Sequence, residues 1–118
     1  MSISDEIKQS SFKNEETKAV INLIFTGNFI VQRQQALMKP FGITMQQFNV
    51  LRILEGQKGQ AISVLSITER MLDKMSNASR LVDKLFAKKL VSRVQCEKDR
   101  RAVDVYILPA GSALINQI

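Results

Sequence analysis

The chain has no histidine and one cysteine in 118 residues, and only 6% of it is aromatic. Without histidine, the commonest metal ligand and the commonest general acid–base group are both missing. One cysteine forms no internal disulfide, and with no histidine to partner it a zinc site or a Cys–His nucleophile lacks its components. Neither GxGxxG nor GxxxxGKS/T occurs, so no phosphate-cradling loop is visible. No stretch reaches the roughly 18 apolar residues that span a bilayer. The N-terminus lacks the basic segment and apolar run of a signal peptide. These absences predict a cytoplasmic protein that is not an enzyme and holds no metal or cofactor. Few aromatics also speak against a single-stranded nucleic-acid binder, which usually needs rings to stack bases on.

What is present is a basic chain of one domain's size, 45% apolar, with a net charge of +6. The charge is unevenly placed. From Arg70 to Arg101 there are ten Lys/Arg against four Asp/Glu, which is the whole excess; the remainder has seven of each. A charge run is often only a solvated face. Concentration of the whole excess in one segment favours a polyanion partner.

Residues 1–13 are polar and aperiodic and read as an N-terminal arm. Asn14 then caps a helix whose first turn holds Glu15 and Glu16, the sign favoured at a helix N-terminus. Its apolar residues, from Ala19 to Val31, cover more than one stripe, so the helix is central to a core or shared with a partner. Pro40 ends it at Lys39. Thr44 and Gln47 have capping-box spacing and restart a helix with Phe48, Leu51, Ile53 and Leu54 on its buried face, stopped by Gly56. Gln60 to Ile62 reads as a short strand. Ser63 caps a third helix carrying Val64, Ile67, Met71 and Leu72.

The fourth helix is the clearest signal. "SNASRLVDKLFAKKL" places Ala78, Leu81, Val82, Leu85 and Phe86 at i, i+3, i+4, i+7 and i+8. Ser76 reads as its N-cap, and Lys88 and Lys89 suit its C-terminal end. The outer face is Asn77, Ser79, Arg80, Asp83, Lys84 and Lys88. Then the period becomes two. Val91 to Cys96 and Val103 to Leu108 read as a hairpin with a charged tip, and Pro109 opens a last helix with Ala113, Leu114, Ile115 and Ile118.

The predicted class is mainly α with a small β-hairpin, a winged helix-turn-helix, in the order helix, helix, strand, helix, helix, strand, wing, strand, helix. Residues 14–118 form a single domain, with a DNA-binding core over 43–108. The expected function is sequence-specific binding of double-stranded DNA. The recognition helix, 76–89, enters the major groove with Ser76, Asn77, Ser79, Arg80 and Lys84, since Asn suits adenine and Arg suits guanine. Taken singly, these features have plainer readings: Ser-Asn-x-Ser as a cap, the lysines as a solvated face, the hairpin as structural.

The segment "SNASRLVDKLFAKKLVSRVQCEKDRRAVDVYILPAG", Ser76 to Gly111, resembles the MarR (multiple antibiotic resistance regulator) family of winged-helix transcription regulators. The matching marks are a Ser/Thr-rich helix start, "RLVDxL", "LVxR", and a wing "DRRA" followed by "VxVxL". "GITMQQFNVLRIL", Gly42 to Leu54, resembles the family's second helix.

The resemblance implies a wing, residues 96–102, at the minor groove. Arg100 or Arg101 would reach inward and Asp99 would orient it. It implies a homodimer formed by helices 14–39 and 109–118 on a pseudo-palindromic operator, and a repressor released by a small aromatic or phenolic effector. Phe29, Phe41 and Phe48 suit a cavity for such a ligand and suit a core equally well. Three departures stand out. Lys89 occupies a position that is usually Gly, Pro109 one that is often Thr, and the chain stops at Ile118, short of the family's last C-terminal helix. Cys96 reads as a packing residue. Two other functions remain open, a winged-helix module for protein contacts and a non-specific or RNA binder.

Overall fold

The computed structural model describes residues 14–95 and 102–118. The expected arm, 1–13, and the wing tip with Cys96, Asp99, Arg100 and Arg101 lie outside the described residues. The chain divides into two compact units, one ending at Leu37 and one running from Met38 to Ile118.

The first unit holds the body of α1 (Glu15–Met38). Asn14 caps it as expected, its Oδ1 accepting from the Thr17 amide at 2.7 Å. The broad apolar surface of α1 leaves Leu23, Ile24, Phe29 and Ile30 exposed.

The second unit begins where Pro40 ends the helix. Lys39–Phe41 make one 3-10 turn, and Gly42 takes a left-handed φ of 72° while its amide donates to Lys39 O. That conformation costs glycine little. α2 (Met45–Gly56) then starts on a complete capping box: Thr44 Oγ1 accepts from Gln47 N at 3.1 Å, and Gln47 Oε1 accepts from Thr44 N at 3.2 Å. Gly56 is its last residue rather than its stop. The reversal comes later, at Lys58 and Gly59, both at positive φ.

β1 is Ile62–Ser63, shifted from the expected 60–62 because its bounds follow pairing with β3. α3 (Val64–Arg70) is capped by Ser63, whose Oγ accepts from Ser66 N at 3.0 Å. α4 (Ala78–Ala87), β2 (Val91–Gln95), β3 (Val103–Ile107) and α5 (Pro109–Gln117) complete the order. The sheet is antiparallel with order β1-β3-β2, so β3 is its centre. Among the described residues this is the predicted winged helix-turn-helix.

Leu51 and Leu54 of α2, Ile67 of α3, Val82 and Leu85 of α4, Val91 of β2 and Val105 of β3 are each 2% exposed or less. Each contributes about 1.5–3 kcal/mol relative to an exposed position. Phe41 and Phe48 pack partly buried against this core, as do Leu114 and Ile115 of α5. Leu72 departs from expectation. α3 ends at Arg70, Met71 turns extended (φ −66°, ψ 139°) with its side chain buried, and Leu72 is thrown out to solvent, 72% exposed. The helical period that placed Leu72 inside stops being valid at Met71.

α5 is seated by a close approach. Leu108 N donates to Leu90 O at 3.0 Å, and buried Gly111 lies against that carbonyl and Ile107. Ser112 Oγ donates to Glu55 Oε2 at 2.6 Å, joining α5 to the end of α2.

Candidate nucleic-acid interface

The geometry of α4 is set by the turn before it. As the chain leaves α3, Leu72 N donates to Oδ1 of Asn49, a buried residue of α2, at 2.9 Å. Asp73 then makes an Asx turn, Oδ1 accepting from Met75 N at 2.9 Å, while its carbonyl accepts from Ser76 N at 3.1 Å. Asn77 ends the turn as the N-cap of α4, its Oδ1 accepting from Arg80 N at 3.1 Å. The expected cap, Ser76, is one residue too early and sits half-buried in the turn. Both residue types cap well, and the backbone of the Asx turn decides between them. With one Oδ1 lone pair committed to Arg80 N, Asn77 is less free to read a base than its position suggested.

α4 buries Ala78, Val82 and Leu85. On the opposite face Ser79, Arg80, Asp83 and Lys84 are exposed. Among the described residues, the Arg80 and Lys84 side chains have no hydrogen-bond or ion-pair partner. Other cations nearby are occupied. Arg70 Nη1 donates to Ser66 O at 3.1 Å, and Lys74 Nζ donates to Glu69 O. Arg80 and Lys84 are therefore the cations that this face offers outward. The structure brings together four of the predicted site residues, Asn77, Ser79, Arg80 and Lys84, with Ser76 set back in the turn. It does not describe Asp99, Arg100 and Arg101.

Two residues take roles that the sequence did not reveal. Arg93 of β2 reaches α4: Nη1 lies 2.9 Å from Asp83 Oδ1, and its guanidinium lies over Phe86, 4.0 Å from the ring centroid. The ion pair is exposed and adds about 0–1 kcal/mol; the ring contact adds about 0.5–1 kcal/mol. Their value is geometric, because they tie the outer face of α4 to the base of the hairpin. The signal was present in "RLVD" and "VSR", but nothing local paired the two. Lys88, read as part of the outer polar face, instead donates to Gln47 Oε1 at 3.0 Å and to Gly42 O.

The end of α4 settles the Lys89 departure. Lys89 N donates to Phe86 O at 3.0 Å, Leu90 N donates to Leu85 O at 3.1 Å, and Lys89 has φ 60°. This is a Schellman cap with lysine in the left-handed position.

Among the described residues, no group of His, Cys, Asp and Glu is placed to hold a metal ion, and no helix is long and apolar enough to cross a membrane.

Comparison with known proteins agrees with this geometry. The MarR family model matches residues 43–103, from the start of the α2 segment into β3. The chain is similar to two Bacillus subtilis (strain 168) proteins. It is 30% identical over 89 residues to the HTH-type transcriptional regulator YsmB, covering 75% of this chain and 60% of that protein. It is 32% identical over 81 residues to the HTH-type transcriptional repressor MdtR, covering 69% and 51%. The matches thus span between half and two thirds of these curated relatives. Among solved structures, a MarR transcription factor from Planctomyces limnophilus superposes with a TM-score of 0.77 at 26% identity, covering 91% of this chain and 77% of that one.

Proposed function

The chain belongs to the MarR family, and from that premise we propose that it is the DNA-reading part of a transcription regulator. A homodimer lays α4 into successive major grooves of a pseudo-palindromic operator. One observation supports this above the others. α4 has one face locked into the core and the turn, and its opposite face presents Arg80 and Lys84 with no partner among the described residues. In this reading Arg80 takes a guanine edge, Lys84 a phosphate, and Ser79 lets the backbone approach closely. The N-terminal residues of a recognition helix are the ones that meet base edges, and Arg80 stands in the first turn of α4.

The wing belongs to the proposal as well. Arg100 or Arg101 reaches into the minor groove, and Asp99 holds that side chain extended so that less rotamer entropy, up to about 2 kcal/mol, is lost on binding. Repression, relieved by a small aromatic or phenolic effector, completes the reading and rests on family resemblance, as does a cytoplasmic location.

Fluorescence anisotropy tests it. The duplex upstream of the chain's own gene and a scrambled duplex are titrated at several salt concentrations, with Arg80→Ala, Asp99→Ala and the Arg100→Ala/Arg101→Ala pair alongside. Tight binding to the upstream duplex alone, weakened several-fold in each variant, is the expected result. Equal binding to both duplexes, or no binding at low salt, sinks the proposal.

A further inference from the structure

Lys88 closes α4, and its position suggests a phosphate contact, but its ammonium points inward to a particular pair of acceptors. Gln47 Oε1, on a residue only 4% exposed, accepts from Lys88 Nζ at 3.0 Å and from Thr44 N at 3.2 Å, so both of its lone pairs are used. Lys88 Nζ also donates to the carbonyl of Gly42, the left-handed residue between the 3-10 turn and α2. A single cation thus joins the last turn of α4 to the first turn of α2, 41 residues earlier in the chain.

We propose that Lys88 is a positioning residue for DNA recognition, acting through Gln47 and Gly42 and not through phosphate. The inference rests on α4 being the groove helix. The Asn49–Leu72 bond fixes the turn that leads into α4, and Val82 and Leu85 seat the helix's inner face in the core. The tilt of α4 on that core decides whether Arg80 and Lys84 meet base edge and phosphate together. Lys88 adds a polar tie at the far end, from the close of α4 to Gln47 and Gly42 at the start of α2, and so sets the tilt more finely than apolar packing alone. Gln47 is suited to receive it because the capping box already holds its side chain rigid, so little further entropy is lost when the ammonium docks. Arg80 and Lys84, by contrast, have no partner among the described residues and are left for the nucleic acid.

Positioning and phosphate contact make different predictions. A lysine that neutralises a phosphate releases counterions, and losing it lowers the log–log salt slope by about one unit. Gln47 carries no charge, so changing it alters affinity only through geometry. The test uses Lys88→Met, Gln47→Met, the double variant, and Thr44→Ala. The last removes the hydroxyl half of the capping box but leaves the acceptor of Lys88 in place. Urea denaturation without DNA measures the Lys88–Gln47 coupling. Anisotropy titrations of the upstream duplex at several salt concentrations measure binding.

The expected result has four parts. Lys88→Met and Gln47→Met each weaken binding roughly three- to ten-fold, the double variant is no weaker than the worse single one, and the salt slope stays at the wild-type value. Thr44→Ala lowers the unfolding midpoint but binds DNA as wild type does. If Lys88→Met flattens the salt slope by about one unit while Gln47→Met binds normally, Lys88 is a phosphate ligand and the inference is wrong. Additive losses overturn it too. A wild-type chain that binds neither duplex brings down the groove-helix reading itself, and the urea cycle still reports whether the Lys88–Gln47 contact exists.

Discussion

Asn49, buried in α2, accepts the backbone amide of Leu72 at 2.9 Å, and that amide belongs to the first residue after Met71 turns away from α3. One side chain thereby fixes where the turn between α3 and α4 begins. The arrangement has a cost, since Asn49 Nδ2 is buried without a partner among the described residues.

Replacing Asn49 by alanine removes that orphan amide but leaves Leu72 N without its acceptor in a part-buried site. The lost bond and the cavity outweigh the relief, so Asn49→Ala lowers stability by about 1–2 kcal/mol. Urea denaturation gives the figure. Amide exchange at Leu72 to Ser76 should quicken more than in α5, and uniform quickening would deny the turn-fixing role.

At Lys89 the chain holds a side chain in the left-handed region, φ 60°. Glycine takes this conformation without the Cβ clash, so Lys89→Gly raises stability by about 1 kcal/mol, less a few tenths for the lost cation at the helix end. A midpoint several degrees higher in thermal denaturation is expected. An unchanged or lower midpoint would show that Lys89 contributes something that this cap geometry does not reveal.

Gly111 has the opposite character. A Cβ there would run into Leu90 O and would lie 2.7 Å from Ile107 Cγ1. Leu90 O already accepts Leu108 N, so it cannot retreat without breaking a bond. Gly111→Ala should destabilise by about 1–3 kcal/mol, even though alanine is the better helix former by about 1 kcal/mol. Stabilisation in the same denaturation assay would mean that α5 is free to shift.

In the proposed reading Arg80 and Lys84 make two different kinds of DNA contact. Arg80→Ala should cost about 1–3 kcal/mol on the upstream duplex and relax the preference over scrambled DNA. Lys84→Ala should weaken both duplexes alike and lower the salt slope by about one unit. An interchange of these two signatures would exchange the assigned roles.

Much of this was legible where the determinants are local. Asn14, Thr44 with Gln47, and Ser63 cap their helices as their spacing predicts, because a cap is a contract between residues three apart. The amphipathic stripe of α4 was equally plain, save that Phe86, read as part of it, is 42% exposed beneath Arg93. Reading failed where two candidates were adjacent or where the partner was distant. Ser76 and Asn77 are both capping residues, and only the Asx turn at Asp73 selects the second. Leu72 was placed inside by a helical period that had ended at Arg70. Lys88 looked like a solvated cation because Gln47 is 41 positions away. Asn49 is one polar letter in an apolar run, and nothing near it announces a bond to Leu72. The wing residues Asp99, Arg100 and Arg101 rest on the resemblance alone.

Arg93 has a consequence for how the hairpin assembles. It pairs across the sheet with Val105, on the face shared by Val91 and Ile107, where an apolar residue would be routine. Strand pairing that slips by one residue turns every side chain to the other face. In the observed pairing the Arg93 cation meets the ring of Phe86 and the carboxylate of Asp83. A slipped pairing would take Arg93 off both and set Ser92 or Val94 against the helix instead. Val91 and Val105 would leave the core in the same slip, so burial opposes it as well. The residue that looks misplaced among its apolar neighbours adds two directional contacts that only the observed alignment of the hairpin makes.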